Sequence, residues 1–333
     1  MAVAQSNIQT SVAPRSQKWL KFARNNASLL LIYGLILAVA IYTAIVSENF
    51  RTMSNMANIL RQTVLLGMLA IGQSVVILTG GMDFSIAMIA RVVALVVATV
   101  FAAQGSDPSL IVPLIFLGVI LGVALGSVNG LLITLTHANP FIITFGMSNI
   151  LRALSLAIAQ TPIRGIPKVY LQIYDAKIGI IPVNVIVMAL IWVAAWLLLN
   201  RTRRGRALYA VGGSERVARL SAVPVNRTLM MAYMFSGFCA AIAALFILSR
   251  SGVGDPRTAE GMEFQSVVAV ALGGISLYGG RGSIWGTLGG VLLMTMMSNV
   301  FNLLQVNIYQ QQAILGFIVL LAVAAYKSPR LAT

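Results

Sequence analysis

NRTRRGRALYAVGGSERVARLSAVPVNR, residues 200–227, is an arginine-rich island in an otherwise apolar sequence and holds seven of the 23 Lys and Arg residues. Apolar runs lie on both sides of it, at residues 182–199 and 229–248. A polar segment between two such runs is expected to be a loop that is anchored in a membrane at both ends. Short basic loops of membrane proteins stay in the cytoplasm. The stretch therefore predicts a membrane protein and one point of its orientation.

The same loop has internal structure. Gly212-Gly213-Ser214 predicts a turn, and residues 215–220 behind it predict a short helix that Pro224 limits. A short helix on the cytoplasmic face can dock into another protein. A basic surface that meets anionic membrane lipid is an equally good interpretation of the composition.

Composition decides the broad class of protein. Hydrophobic residues make up 59% of the 333 residues, charged residues make up 9%, and the mean hydropathy is +0.90. An ordinary soluble domain has about a quarter of its residues charged, so that class is excluded. The net charge of +15 would indicate a nucleic-acid partner in a soluble protein. Here the basic residues cluster between apolar runs, so we interpret them as topology signals and expect no nucleic acid.

Ten runs meet or approach the roughly 20 apolar residues that a membrane span needs. The sequence therefore predicts an all-α, polytopic membrane protein with about ten transmembrane helices, some of them short or broken at Gly-Gly turns such as Gly273-Gly274. The ten runs are residues 28–46, 56–78, 84–103, 110–135, 141–159, 182–199, 229–248, 264–277, 284–303 and 311–326.

The distribution of charge predicts the orientation. Residues 1–26 are polar and carry no cleavage site after an apolar core, so we expect a cytoplasmic tail, followed by a transmembrane domain over 27–327. Residues 200–228 form its cytoplasmic loop, and residues 328–333 form a second cytoplasmic tail. With both termini on that side, 14 Lys and Arg lie in cytoplasmic segments and six lie outside.

Two longer connections, residues 160–181 and 249–263, are then placed on the outer side. Both contain proline and mixed charge, which suits a surface for a water-soluble partner. Simple solvated connections explain them equally well.

Residues that carry chemistry are scarce. His137 is the single histidine, Cys239 is the single cysteine and lies in an apolar run, and no Lys follows a Gly as a GxxxxGK[ST] phosphate loop requires. We therefore expect no metal, no cofactor and no ATPase activity in this chain. Any ATP hydrolysis has to come from another polypeptide.

The sequence contains a faint internal repeat. Residues 79–84, TGGMDF, follow an apolar run and are echoed by residues 272–277, LGGISL, six predicted spans later. Repeats with interrupted helices are common in transporters, where they lie beside the pathway.

Three blocks give the chain a family resemblance. Residues 200–227, ILTGGMDFS at 77–85 and VALGGISLYGGRGSIWGTLGG at 270–290 resemble, in order and spacing, blocks of the ribose/xylose/galactose-type permeases of bacterial ABC importers. The similarity covers residues 49–327. It implies a permease in the bacterial inner membrane that pairs with a second copy, binds a cytoplasmic ATPase and receives a sugar from a periplasmic or lipid-anchored binding protein.

The resemblance makes the central loop the element that couples the permease to the ATPase. The positions that match the motif of that loop are Arg206, Gly212, Gly213, Ser214, Glu215, Ala218 and Leu220.

A sugar pathway is expected to be lined by uncharged polar side chains, because amide and hydroxyl groups match the hydroxyl groups of a sugar. A set of polar residues within or beside the predicted spans could serve that role, or could pair helices with each other. The candidates are Asp83, Asn129, Arg152, Gln265, Asn299 and Asn302.

Some positions depart from the family pattern. Ala87 and Met88 replace small residues, Gln265 stands where an Asp is usual, and Arg91 replaces an apolar residue. Arg91 is expected either to reach the cytoplasmic surface or to contact the pathway. These departures leave open an importer of a non-sugar solute, such as a nucleoside or a signalling molecule. A stand-alone channel or secondary transporter is disfavoured, because ion-coupled carriers commonly use Asp or Glu within their spans and the nearest candidate here, Asp83, sits at a span end.

Overall fold

The computed structural model describes residues 27–307 together with 309–311, 313, 314, 316 and 317. Helices make up most of these residues, the strands are limited to one hairpin of two-residue strands, and the prediction of an all-α membrane protein is confirmed. The elements are α1 (Ala27–Val46), α2 (Met53–Leu78), α3 (Ile86–Ala103), α4 (Ile111–Thr136), α5 (Pro140–Ile158), α6 (Lys168–Asp175), β1 (Lys177–Ile178), β2 (Ile181–Pro182), α7 (Val183–Arg201), α8 (Arg203–Gly213), α9 (Glu215–Leu220), α10 (Val225–Ser251), α11 (Met262–Leu272) and α12 (Ile284–Leu303).

Eight helices of the described part are long and apolar enough to cross a membrane, and α11 is a shorter apolar helix. They correspond to nine of the ten predicted spans. The tenth, residues 311–326, lies largely outside the described residues, as do the predicted tails 1–26 and 328–333.

Local sequence signals explain where several helices start. The Thr52 hydroxyl accepts from the Asn55 N–H at 3.2 Å at the start of α2, and Asn139 caps α5 ahead of Pro140.

The helices divide into an inner and an outer set. Most side chains of α2, α3, α10 and α12 are buried within the chain, whereas fewer than a third of those of α1, α4, α5 and α7 are buried. Helix α10 packs along α4, α2 and α3 and forms the centre of the bundle. The hydrophobic core is built around this inner set.

Glycines on α4 set the closest helix contact. Gly118, Gly122, Gly126 and Gly130 recur every four residues on one face. A Cβ atom added to Gly126 would collide with the Tyr233 carbonyl oxygen of α10, and one added to Gly122 would lie 2.6 Å from the Gly237 carbonyl oxygen. Small residues at this spacing let two membrane helices approach until their backbones touch.

The two Gly-Gly turns have the same backbone geometry, in a register one residue away from the predicted one. After α2, Gly80 has φ +84°, and the N–H of Gly81 donates to the Val76 carbonyl. After α11, Gly274 has φ +83°, and the N–H of Ile275 donates to the Val270 carbonyl. Gly80 therefore corresponds to Gly274. The positive φ decides the register, since a residue without Cβ is required there.

The predicted connections 160–181 and 249–263 meet at one end of the bundle, which we call the α6 end. The first contains α6 and the β1–β2 hairpin, and it pairs with the second through Ile163 and Gly254. The Tyr170 hydroxyl donates to the Leu245 carbonyl at 2.9 Å, and the Ser249 hydroxyl donates to the Tyr170 carbonyl at 3.1 Å. The opposite end carries α8 and α9 and is called the α9 end.

Candidate functional site

The central loop is more ordered than the sequence predicts. Residues 203–213 form helix α8, so Gly212 and Gly213 end a helix instead of making a turn. The chain breaks at Ser214, which is extended at φ −168° and ψ 111°. Its hydroxyl accepts from the Val217 N–H at 3.3 Å and starts α9 at the predicted Glu215.

Helix α9 presents most of its surface to solvent. Ala218 is buried against the chain, whereas the exposed fractions of Val217 and Leu220 are 59% and 82%. The Arg219 guanidinium donates to the Glu215 carboxylate at 2.7 Å. The motif residue Arg206 is also exposed on α8. Exposed apolar side chains that are surrounded by charged side chains form a surface that another protein can cover.

Behind α9, four glycines from three distant segments meet in what we call the glycine junction: Gly80, Gly212, Gly279 and Gly280. The Gly280 N–H donates to the Leu78 carbonyl at 3.0 Å. A Cβ atom on Gly279 would lie 2.7 Å from the Gly80 nitrogen and 3.0 Å from the Gly212 Cα. A Cβ atom on Gly212 would collide with the Leu78 carbonyl oxygen. The end of α8 therefore touches the turn after α2 and the loop before α12.

Two of the predicted pathway residues belong to an enclosed polar cluster, which comprises Asp83, Ser85, Asn129 and Ser236. All four are fully buried. The Asp83 carboxyl group accepts from the Ser85 N–H at 3.0 Å, the Ser85 hydroxyl at 2.6 Å and the Ser236 hydroxyl at 2.7 Å. The Asn129 amide donates to the Ser85 hydroxyl at 2.6 Å. The cluster ties α4 and α10 to the Gly-Gly turn.

Two further candidates lie near the α6 end of α12. Asn299 is 4% exposed and exchanges two amide hydrogen bonds with Asn55 of α2, at 2.8 and 3.1 Å. Asn302 accepts from the Gln311 amide at 3.1 Å. In this conformation both side chains join parts of the same chain.

The other two candidates lie on or beside an exposed face of α5, together with residues of the segment that leads into α11. Phe141, Phe145, Asn149 and Arg152 follow one another on one stripe of α5 and are all exposed. The Arg152 guanidinium donates to the Glu260 carboxylate at 2.9 Å. We call this surface the α5–α11 face; it consists of these residues with Glu260, Phe264 and the half-buried Gln265.

Arg91 does not reach the surface of the chain. Its side chain is 2% exposed, its Nε donates to the Thr258 carbonyl at 2.8 Å, and its guanidinium lies 3.9 Å from the Glu260 carboxylate. The expectation that Arg91 snorkels to the cytoplasmic surface is therefore wrong. Arg91 instead fixes the segment before α11 from behind, while Arg152 holds Glu260 from the exposed side.

The exposed face of α4 is different in kind. Its exposed side chains between residues 112 and 135 are all apolar and include Phe116, Ile120 and Leu131. Such a surface suits lipid. An exposed Arg–Glu pair does not, because a charged group costs roughly 3 kcal/mol at the centre of a bilayer.

The described part of the chain holds no group of three or more His, Cys, Asp or Glu that could bind a metal ion. Cys239 is buried and free. His137 occupies a left-handed turn position after α4, at φ 54°.

Comparison with known proteins places this arrangement in a family. Residues 55–323 match the family described as "Branched-chain amino acid transport system / permease component". The chain belongs to this permease family. It is therefore a multi-pass membrane permease of the ABC importer type and not itself an ATPase. The resemblance seen in the three sequence blocks is confirmed by this match together with the following relatives.

Relatives cover almost the whole permease. The ribose import permease protein of Bacillus subtilis (strain 168) is 37% identical over 95% of this chain and 98% of its own length. The D-allose transport system permease protein of Escherichia coli (strain K12) is 32% identical over 87% and 88%. The fructose import permease protein of Rhizobium meliloti is 31% identical over 92% and 87%. No solved structure matches the chain.

Sequence reasoning missed three features of this region. The glycine stripe of α4 was readable as four glycines at four-residue spacing. Helix α8 was hidden because three glycines interrupt its sequence. The aromatic part of the α5–α11 face had no sequence signal, because its rings come from segments more than 50 residues apart.

Proposed function

We propose that the chain forms the translocation pathway of an ATP-driven importer for a monosaccharide or a similar neutral polar solute. Relatives that match this permease over most of its length are named as import or transport permeases for ribose, D-allose and fructose. This observation supports the choice of a monosaccharide as the solute class. The polar side chains of the α5–α11 face supply the chemistry that a hydroxyl-rich solute needs, namely amide and charged hydrogen-bonding groups.

The pathway runs between two copies of the chain that bring their α5–α11 faces together. Arg152 and Gln265 then line it, beside Asn149. A second copy explains how an exposed Arg–Glu pair avoids lipid, and a twofold pair is the commonest symmetric assembly. Asp83 and Asn129 are enclosed in this conformation, so they meet solute only if α4 and α10 separate. Asn299 is likewise enclosed against Asn55, whereas Asn302 is exposed beside Gln311.

The α9 end receives the ATPase, which supplies the ATP hydrolysis. This places the central loop and both termini in the cytoplasm, as the positive charge of the loop favours. The coupling surface consists of the exposed Arg206, Glu215 and Leu220. Ala218 packs α9 against the chain, and Gly212, Gly213 and Ser214 join α9 to the bundle. The basic side chains around it also contact anionic lipid of the bacterial inner membrane.

The α6 end receives the solute-binding protein. Helix α6, the hairpin and the segment before α11 form one connected surface there, held by the Ile163–Gly254 pairing. Arg152 and Glu260 lie where that surface meets the α5–α11 face, so solute delivered at this end enters beside them.

The experiment is uptake by the bacterium that carries the chain, before and after deletion of its gene. Labelled D-ribose, D-allose and D-fructose are tested beside a nucleoside, an amino acid and an organic anion. We expect the deletion to abolish high-affinity uptake of one monosaccharide and the cloned gene to restore it. Loss of uptake of the nucleoside or the ionic solutes alone would overturn the sugar assignment.

A further inference from the structure

The α5–α11 face changes character towards the α9 end, where four phenylalanine rings form a cluster. The Phe84 ring meets the Phe141 ring edge-on at 5.1 Å between centroids and the Phe264 ring at 5.2 Å. Phe141 stacks on Phe145 at 5.8 Å. The cluster joins the Gly-Gly turn, α5 and α11 through side chains alone.

The rings are exposed in the single chain. Phe141, Phe145 and Phe264 are exposed by 45%, 48% and 55%, whereas Phe84 is buried behind them at 6%. Arg152 lies eleven residues after Phe141 on the same stripe of α5, about 16 Å further along the helix. Solute that passes the polar part of the face therefore meets a zone in which phenylalanine rings predominate. An apolar constriction of this kind stops water and hydroxyl-rich solutes, because it strips their hydrogen bonds without replacing them.

Phe84 connects this cluster to the coupling loop. It lies four residues after Gly80, which belongs to the glycine junction with Gly212 of α8. The connecting segment is held to α5, because the Phe84 N–H donates to the Thr144 hydroxyl at 3.2 Å and that hydroxyl lies 3.0 Å from the Met82 carbonyl. A shift of α8 at Gly212 therefore pushes on the backbone at Gly80, and this backbone leads directly to the Phe84 ring.

We propose that Phe84, Phe141 and Phe264 of two copies form an aromatic barrier across the pathway, and that α8 moves this barrier through the glycine junction. The proposal rests on the proposed function, since it needs the two α5–α11 faces to enclose a pathway. Phe264 is the residue that closes the barrier, because it is the most exposed ring and touches the buried Phe84. Phe84 is a positioning residue, which orients the other rings and links them to the Gly-Gly turn.

The test is passive leak through the full-length permease with its ATPase subunit, reconstituted into liposomes loaded with labelled D-ribose and kept without ATP. We expect Phe264→Ala to raise ribose efflux about tenfold, since the apolar constriction is widened. Phe264→Tyr retains the ring and is expected to stay tight. The matched control is Phe116→Ala, which removes an exposed phenylalanine from the apolar face of α4 and leaves efflux at the wild-type value.

Wild-type efflux from assembled Phe264→Ala and Phe141→Ala complexes would overturn the barrier. If these variants do not assemble, Phe264→Cys decides instead, because the native Cys239 is buried and free. Oxidation of this variant is expected to give a covalent dimer that stops ATP-driven uptake until it is reduced, and failure to crosslink would overturn the barrier. Absence of ATP-driven monosaccharide uptake in the wild-type complex would instead overturn the proposed function.

Discussion

The enclosed polar cluster and the α5–α11 face both contain polar and charged side chains within or beside spanning helices, but their surroundings differ. Asp83 is fully buried and accepts three hydrogen bonds from its own chain. Arg152 and Glu260 are exposed by 58% and 49% and pair with each other across two segments. Polar groups of the first kind stabilise the fold, because their loss leaves buried donors without acceptors. Substitution of polar groups of the second kind has little effect on the stability of one chain, so these groups can take part in transport.

The largest effect on stability is expected from Asp83→Leu. The substitution leaves two serine hydroxyls and one N–H unpaired in the core, which costs about 3–5 kcal/mol by analogy with a broken buried pair. Thermal unfolding of the purified permease in detergent measures it, with assembled yield as a second readout. Asp107→Leu is the matched control, since Asp107 is an exposed carboxylate whose side chain accepts from the N–H and the hydroxyl of Ser109. Equal melting temperatures of the two variants would contradict the structural role of the cluster.

An intermediate effect is expected at the Asn55–Asn299 amide pair. Asn55→Leu orphans the Asn299 amide, and Asn299→Leu leaves the Asn55 amide only its bond to the Phe50 carbonyl. The double variant removes both amides together. We expect the double variant to be more stable than the sum of the singles predicts, with a coupling of about 1 kcal/mol, as for other polar pairs between membrane helices. The full cycle is measured by thermal unfolding and by uptake. Purely additive stabilities combined with lost uptake in each single variant would instead assign Asn299 to the pathway.

The smallest effect on stability and a clear effect on transport are expected at Arg152. Arg152→Gln breaks an exposed ion pair, which costs about 1 kcal/mol or less. We expect uptake to fall about tenfold, because the charge stands on the face that solute passes. Arg51→Gln breaks the exposed pair with Glu48 and serves as control, with uptake unchanged. If Arg152→Gln transports normally, Arg152 is not a pathway residue, and the exposed Arg152–Glu260 pair has no role in transport.

The sequence by itself determined most of the spanning elements of this permease. Nine spans follow from hydropathy, and the start of α9 at Glu215 follows from the capping Ser214. The positions of both Gly-Gly turns follow from their paired glycines, although the structure shifts their register so that Gly80 corresponds to Gly274. These signals are local, because span length, capping and positive φ depend on a few consecutive residues.

Only the tertiary structure decided what the polar residues of the spans do. Asn129 and Asn149 both interrupt apolar runs, yet Asn129 is buried against Ser85 and Asn149 stands on the exposed stripe of α5. Helix packing makes that difference, because it selects which face of each helix is covered and by which distant segment. The glycine stripe of α4 brings its backbone against α10 and thereby encloses Asn129. Among the described residues, no equivalent partner covers the stripe of α5, so its polar side chains are exposed there.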